Sequence, residues 1–509
     1  MKILGAAVAI PTSVDDSQSY SLAYAVGAAR PALEQAGCLP SELDLIVSLS
    51  TSPNRIVHDP AIAGPRLAHP VQRDLGARHA TVFDLLDADW TIALDFAQSH
   101  CRWLGFRRGL PVACPSPVAR AVQIAAWRPS HWTCSGSEWP AARWRFDCAQ
   151  RPNRESCVSF ADTMRSQRRS CLRAGRAHPA EWWRFWGIES RYMIDQDAGE
   201  TELTLAEDAA REALGLAEVD AGDLDLVLFN MTSPFVMHAD GRRRFAPRLS
   251  RMLRDRLGAK RALDAGVDMA CASFVLQLQL AANLIKDGRV KRALVCSSEL
   301  MSDVFDYTSK SSTNFGDGAA AAVLVAEPPD SQGANWLKAV YHSDATHYDL
   351  VTMRWRDASG LGEHADSRPG VYFTLKPDAQ EAIARFMPVA IPGVVSSLLH
   401  QSGIGTADID AFVFHQPSAL LVRAWAQRLA LARHQYVIRV ADCACLVSAA
   451  VPFALHESIR QGIIQPGSLV VIAGAGAGRG FGAQLWPWGD TAIDRVGTGS
   501  VNAEVRHGR

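Results

Sequence analysis

In Asp268-Met269-Ala270-Cys271-Ala272-Ser273-Phe274 a cysteine stands between a short apolar run and the helical run Val275 to Ile285. A thiol at such a junction lies at the positive end of a helix dipole, which favours the thiolate and makes a nucleophile. An isolated cysteine is by default a buried structural one, so the reading needs company. Phe412-Val413-Phe414-His415-Gln416-Pro417 ends an apolar strand in a histidine, and alone His415 reads as a core or surface residue. Ile472-Ala473-Gly474-Ala475-Gly476-Ala477-Gly478-Arg479-Gly480 is a glycine-rich turn after the strand Leu469 to Ile472. Such a turn can bring a backbone N–H close to a reacting carbonyl. It is no dinucleotide fingerprint, because no βαβ unit and no ribose-binding acid follow.

The elements that must position these residues are announced by a repeat. Ala29-Arg30-Pro31-Ala32-Leu33 resembles Ala210-Arg211-Glu212-Ala213-Leu214, and Thr51-Ser52-Pro53 resembles Thr232-Ser233-Pro234. Asp74-Leu75-Gly76-Ala77 matches Arg256-Leu257-Gly258-Ala259 one residue further on. A period of about 180 residues is a domain duplication rather than a solenoid. Each copy reads helix, buried strand, helix, buried strand, helix, with strands such as Leu45-Ile46-Val47 and Leu226-Val227-Leu228-Phe229. Apolar strands alternating with helices of 3.6-residue spacing predict an α/β layered fold. The opening Met1 to Pro11 reads as a β-strand rather than a signal peptide, since Pro11 cuts its apolar stretch.

The first copy is expected to stop near Cys114. Residues 101–180 then hold fourteen Arg against four acidic residues, together with five Trp and six of the eleven Cys. The stretch lacks a fold pattern that could present a nucleic-acid patch, and linkers avoid Trp and Cys. It reads as an out-of-frame segment joining two neighbouring genes. No pair of these cysteines has CxxC spacing, and Cys443 and Cys445 have no companions, so no metal is expected. With 52 basic and 53 acidic side chains, the whole chain carries no electrostatic footprint for nucleic acid or an anionic membrane. No run approaches the ~18 apolar residues of a spanning helix. A cytoplasmic enzyme is the expectation.

Taken in order, the Cys271, His415 and glycine-rich motifs resemble the thiolase-superfamily condensing enzymes of the β-ketoacyl-[acyl-carrier-protein] synthase III type. Trp186-Gly187-Ile188-Glu189-Ser190-Arg191 and Phe315-Gly316-Asp317-Gly318 belong to the same resemblance, which runs from about Trp182 to Trp488. It implies a thiolase-like fold of two βαβ-type halves, 178–330 and 331–490, before a tail of 491–509. Ahead of them would stand a truncated copy, 1–113, and an irregular linker, 114–177. By resemblance Cys271 takes an acyl group and His415 is the acid/base. The backbone N–H groups of Cys271 and Gly478 would form the oxyanion hole. The family carries an Asn seven residues before a Pro; counting back from Pro452 gives Cys445.

Glu181-Trp182-Trp183-Arg184-Phe185-Trp186-Gly187, His342-Ser343-Asp344-Ala345-Thr346, Met353-Arg354-Trp355-Arg356 and Val422-Arg423-Ala424-Trp425-Ala426 narrow the resemblance. They are similar to the catalytic subunits of bacterial 2-alkyl-4-quinolone synthases, which also lack the Asn. The first copy resembles their non-catalytic partner subunit and has Asp89 where the second has Cys271. The resemblance implies acyl transfer from a medium-chain acyl-CoA or acyl-carrier protein, then condensation with 2-aminobenzoylacetate to a signalling-type 2-alkyl-4(1H)-quinolone. Acyl-CoA is a substrate and no cofactor is implied. A pseudo-dimer or a heterodimer with a non-catalytic homologue is implied as well. Pocket size would depend on the packing of residues such as Phe235, Met237 and Phe386. Two other readings stay open: a primer-specific synthase III in fatty-acid or polyketide synthesis, and a catalytically compromised fusion product.

Overall fold

The structure, a computed structural model, describes residues 2–9, 20–50, 67–86, 88, 90–114, 122–128, 144–145, 158–160, 180–194, 199–231, 235–237, 243–245, 249–302, 304–306, 309–326, 338–348, 350–356, 370–476 and 480–488. The first copy comprises β1 (Lys2–Ala9), α1 (Tyr20–Ala36), β2 (Leu45–Ser50), α2 (Ala68–Leu75), β3 (Thr81–Leu86), α3 (Trp90–Leu104), β4 (Gly109–Cys114) and β5 (Val122–Arg128). Short strands β6 (Trp144–Arg145) and β7 (Val158–Phe160) precede the second copy. That copy has α4 (Ala180–Trp186), α5 (Glu202–Ala217), β8 (Leu226–Asn230), β9 (Phe235–Met237), β10 (Arg243–Phe245), α6 (Leu249–Leu257), β11 (Leu263–Asp268), α7 (Ser273–Lys286), β12 (Arg292–Glu299) and β13 (Gly318–Ala326). Then come β14 (Lys338–Ser343), β15 (Val351–Arg356), β16 (Gly370–Leu375), α8 (Ala379–Ser402), β17 (Ala411–Phe414) and α9 (Ala419–Arg428). The last elements are α10 (Val440–Cys443), α11 (Ala450–Arg460), β18 (Ser468–Gly476) and β19 (Gly480–Trp488).

The two copies share one sheet in the order β1-β5-β4-β2-β3-β11-β8-β12-β13-β6, with β7 also on β13. Each half is parallel at its centre, β3-β2-β4 and β11-β8-β12, and antiparallel further out. The halves meet antiparallel at β3 and β11, where Gly266 faces Leu86 and Asp268 faces Asp84. The repeat holds down to single hydrogen bonds. Asp44 accepts from the N–H groups of Arg107 (2.7 Å) and Arg108 (2.9 Å), and Asp225 from those of Lys291 (2.7 Å) and Arg292 (3.0 Å). Left-handed residues end matching helices: Gly76 and Gly258 at φ 77° and 82°, Gly105 and Gly288 at 71° and 68°. Glycine meets that conformation without a Cβ penalty.

Two expectations are corrected. The first copy does not end at Cys114: β5 runs antiparallel to β4, where β13 stands beside β12, and β1 closes on its far side. With β6 and β7 on β13, the span 114–177 thus contributes three strands to the sheet. Its remaining residues, and the tail 491–509, lie outside the described residues, as does the out-of-frame reading that rests on them. Second, α8 is long and apolar enough to cross a membrane. Its Met387, Ile391, Val395, Leu398 and Leu399 are instead buried in a core shared with β17, β18 and β19. Length and apolarity alone do not separate a spanning helix from a core helix.

The helix behind the cysteine, α7, is buried along its whole length from Ser273 to Ile285. It lies between the large sheet and the second sheet, β14-β19-β18-β17. A helix without a polar face belongs in such a sandwich. The seam between copies depends on the missing side chain of Gly266, whose Cβ would fall 2.8 Å from Leu86 Cβ and 3.3 Å from Leu86 O. Gly266→Ala is therefore expected to destabilise the chain by about 1–3 kcal/mol. Urea denaturation checks this, and an unchanged midpoint would mean that the β3–β11 contact is not held in solution.

Candidate active site

Cys271 sits where β11 turns sharply into α7. Asp268 Oδ1 accepts from Ala270 N (2.9 Å). Ser273 Oγ accepts from Met269 N (2.8 Å) and donates to Ala270 O (2.6 Å). Ala270 is forced to φ 52°, a left-handed conformation costing an L-residue ~1–2 kcal/mol. The turn aims the half-exposed Cys271 outward while Met269 and Ala272 on either side are buried.

The glycine-rich hairpin presses directly on this turn. A Cβ on Gly476 would lie 2.8 Å from Met269 O, and one on Gly474 would lie 3.3 Å from Ala272 Cα. His415 follows β17, and its N–H donates to Ala473 O on β18 (3.0 Å), the residue before Gly474. The histidine thus stands one strand away from the cysteine turn. It is buried, and its Nδ1 has no hydrogen-bond partner among the described residues. Burial lowers it from 6.5 to about 3, so the imidazole is neutral at ordinary pH.

Cys445 lies on the third side. Its N–H donates to Asn314 O (2.9 Å), and its carbonyl accepts from Gly316 N (3.1 Å). Gly316 allows this contact, since a Cβ there would fall 2.5 Å from Cys443 O. Burial pushes the Cys445 thiol well up, with Cys271 adding to the shift, so the two sulfurs share one electrostatic environment. Cys445 is flanked by Ala444 at φ 61° and, two residues on, Val447 at φ 48°. With Ala270, three of the five described left-handed non-glycine residues surround the thiol; the others, Glu218 and Ala430, follow helices.

Sequence reasoning missed Glu299, and it named Arg191 and Asp317 within motifs without giving them a role. Glu299, at the end of β12, is buried and accepts from Ser448 N (3.3 Å) and Ser448 Oγ, which ties the Cys445 loop to the sheet. Arg191 donates to Phe315 O (3.0 Å) and Ser312 O, with its guanidinium over the Trp183 and Phe305 rings. Asp317 accepts from Ile194 N (3.0 Å) and Ser302 N (2.8 Å). An acidic residue closing an apolar strand was the available signal for Glu299, but only the fold brings Ser448 to it.

An apolar wall adjoins Cys271, built from Met301, Val304, Phe305, Phe315, Met353, Phe373 and Val447. The Phe315 ring stands edge-on to Phe373, 5.0 Å between centroids. These residues come from five separate segments, so no periodicity could have grouped them. Phe386 is not among them: it packs on His347 and Phe481 in the α8 core. Of Phe235 and Met237 only the backbone is described. Gly478 and Asp89 lie outside the described residues, so the second oxyanion donor and the counterpart of Cys271 are not placed. The structure brings Cys271, Cys445 and the glycine hairpin together, with His415 one strand beyond.

A cysteine on a strand-to-helix turn, an apolar wall beside it and a buried neutral histidine one strand away are the parts a thioester-handling nucleophile uses. The model of 3-oxoacyl-[acyl-carrier-protein (ACP)] synthase III matches residues 266–345, and that of its C-terminal part matches residues 399–488. A 2-heptyl-4(1H)-quinolone synthase subunit, PqsC, of Pseudomonas aeruginosa is 38% identical over 319 residues, 61% of this chain and 90% of that protein. The β-ketoacyl-[acyl-carrier-protein] synthase III of Acaryochloris marina is 30% identical over 304 residues, 59% of this chain and 87% of that one. Among solved structures, synthase III of Aquifex aeolicus shares the fold at a TM-score of 0.52 and 22% identity, covering 69% of this chain and 100% of its own. The priming β-ketosynthase of the R1128 polyketide pathway gives 0.52 at 25% identity, covering 70% and 99%. The chain belongs to the thiolase-superfamily condensing enzymes of the β-ketoacyl synthase III type, and is an acyltransferase.

Burial also lowers His100, on α3, from 6.5 to about 3. The unfolded chain takes up protons at both histidines as pH falls below about 6.5, whereas the folded chain does so only near 3. Their stability contribution is thus intact above the unfolded value and is lost as pH falls through that window. The slope approaches ~1.4 kcal/mol per pH unit for each group. Denaturation midpoints at pH 7, 6 and 5 should fall accordingly, and His415→Asn should flatten the trend. An identical slope in that variant would show that His415 charges within the fold.

Proposed function

We propose that this chain moves a medium-chain acyl group from acyl-CoA or acyl-carrier protein to Cys271 and condenses it with 2-aminobenzoylacetate. The product is a 2-alkyl-4(1H)-quinolone of the signalling type, and such donors place the reaction in the cytoplasm. The observation that carries the reading is the Cys445 loop, whose Val447 packs in the same apolar cluster as Cys271: by the family resemblance Cys445 stands where an amide donor would be needed for malonyl decarboxylation. A thiol is only a weak donor, and one lost oxyanion donor costs on the order of 10²–10³ in rate. The Pseudomonas aeruginosa relative, a subunit of a 2-heptyl-4(1H)-quinolone synthase, supports the product class.

In the loading step the Cys271 thiolate attacks the acyl carbonyl and expels the CoA thiolate, which takes up the proton Cys271 gave up. The N–H groups of Cys271 and Gly478 would bind the transient oxyanion. In the second step the acceptor, an aryl β-keto acid that loses CO₂ more readily than a malonyl thioester because its enolate is conjugated with the ring, decarboxylates, and the carbon so freed attacks the acyl-Cys carbonyl, releasing Cys271. Neutral His415 donates to the enolate oxygen. The aniline nitrogen then closes on the new ketone with loss of water. The apolar wall from Met301 to Val447 suits the alkyl chain.

The second reading is a primer-specific synthase III, favoured by the two matching family models. Intact-mass analysis after incubation with octanoyl-CoA should show one adduct, absent in Cys271→Ala. With 2-aminobenzoylacetate the loaded enzyme should give alkylquinolone, and with malonyl-carrier protein little ketoacyl product. The reverse outcome would decide for the primer-specific synthase. His415→Ala should still load slowly while turnover falls by about 10²–10⁴. A loss under tenfold would remove His415 from the acid/base role.

A further inference from the structure

β17 stands at the edge of the second sheet, with β18 on one side only. The segment that leads from α9 to α10 runs along its other side, joined to it by the bridge of Phe412 with Tyr436. Two glutamine amides pin that segment, one at each end of β17. At the near end Gln435 Nε2 donates to Ile409 O (2.6 Å) and Thr406 O (3.3 Å), while its Oε1 accepts from Ala432 N (2.8 Å). At the far end, directly after His415, Gln416 Nε2 donates to Phe414 O (3.2 Å) and Val437 O (3.3 Å), and its Oε1 accepts from Arg439 N (3.1 Å).

Gln416 is buried, and all three partners are main-chain atoms. Two carbonyls on one side and an N–H on the other fix which way the amide points. Only an amide supplies two donors and an acceptor at this reach. An ionised glutamate donates nothing, and a methionine is a weak acceptor.

His415 depends on such a brace. Its Nδ1 has no hydrogen-bond partner among the described residues, so its placement rests on its backbone. That backbone is held before the ring by the bond from His415 N to Ala473 O (3.0 Å), and after it by the Gln416 amide, which straddles the histidine from Phe414 to Arg439. Beyond it the chain leaves the sheet: Pro417 has no N–H to give, and Ser418 Oγ caps α9 by accepting from Leu421 N (3.2 Å).

The far side of the brace leads to Cys445. Arg439 O accepts from Asp442 N (3.0 Å) and Cys443 Sγ (3.3 Å), which closes α10 onto it. Arg439 Nε meets Glu457 of α11 (3.4 Å), and Arg460 holds the same carboxylate (2.8 Å). Cys445 lies between α10 and α11, so the Gln416 bonds join the histidine to the framework of the Cys445 loop.

We propose that Gln416 is a positioning residue for condensation: it holds His415 in place relative to the Cys445 loop and is not needed to load Cys271. The proposal rests on the reading of His415 as the acid/base of the second step. Cys271 stands on a turn built from other bonds, those of Asp268 and Ser273, which Gln416 does not touch. A misplacement of ~1 Å can cost ~10²-fold in a step that depends on aligned groups.

The test compares Gln416→Met with Gln435→Met, which removes the twin amide at the other end of β17. Octanoyl loading of Cys271 is followed by intact mass, and turnover by product formation from the loaded enzyme. Both variants should melt earlier than the unchanged chain and load at its rate. Gln416→Met alone should lose turnover, by roughly 10–10²-fold, the same split between steps that His415→Ala should show. Gln416→Glu keeps the bulk and the acceptor for Arg439 N; it should show this split too, and serves where the methionine variant does not fold. Unchanged turnover, a parallel fall in loading and turnover, or an equal loss of turnover in Gln435→Met would overturn the proposal. Turnover is measured with the acceptor that the unchanged chain uses, 2-aminobenzoylacetate or malonyl-carrier protein, so a failure of the quinolone reading changes the acceptor and leaves the comparison intact. A His415→Ala chain that keeps its turnover would remove the acid/base reading and this proposal with it.

Discussion

The condensing copy depends on one close approach of backbones, that of the Met269–Ala272 turn to the β18–β19 hairpin. Ala270 holds a conformation an alanine does not choose, and such strain persists only where the surroundings over-determine it. The surroundings are Gly474, Gly476 and Gly480, where any Cβ would run into Met269 or Ala272. With hydrogen bonds from Asp268 and Ser273 closing the turn from below, Cys271 is left one direction to face. His415 inherits its place from the same hairpin, through the β17–β18 ladder.

The side chains that flank the half-exposed thiol are themselves buried. His415 and Cys445 are both buried, and burial drives both toward their neutral forms. Asp317 is raised by burial too, although two backbone N–H groups and Ser302 oppose the shift. Charge that develops on a substrate oxygen in such surroundings meets hydrogen-bond donors rather than water, and in low dielectric each donor counts for more.

The N-terminal copy and the condensing copy use the same framework to different ends. Both keep the carboxylate clamp of Asp44 and Asp225 and the capping glycines, which serve folding alone. Only the second keeps a cysteine at the strand-to-helix turn. What the first retains is the face it offers to β11 and α7, where Arg102 and Trp103 meet Asp287 and Asp95 meets Arg289.

The order of the motifs was enough to name Cys271 and His415, and the repeat announced the paired half-sheets, because strand and helix periodicities are local. The chain before Cys114 reads as a complete story for the same reason, and that is where local reading failed. The strands Val122–Arg128, Trp144–Arg145 and Val158–Phe160 lack apolar periodicity of their own and exist as pairings with β1, β4 and β13. α8 misleads in the opposite way, since its apolar run belongs to a core whose other walls lie up to a hundred residues away. Glu299 with Ser448, Arg191 with Phe315 and the wall of Met301, Met353, Phe373 and Val447 were invisible for a common cause. Each is a contact between segments far apart in the chain. The sequence by itself singled out Cys271 as the candidate nucleophile and announced the framework that carries it. The tertiary structure alone decided what surrounds the thiol, because burial and long-range contact arise only when distant segments are packed together.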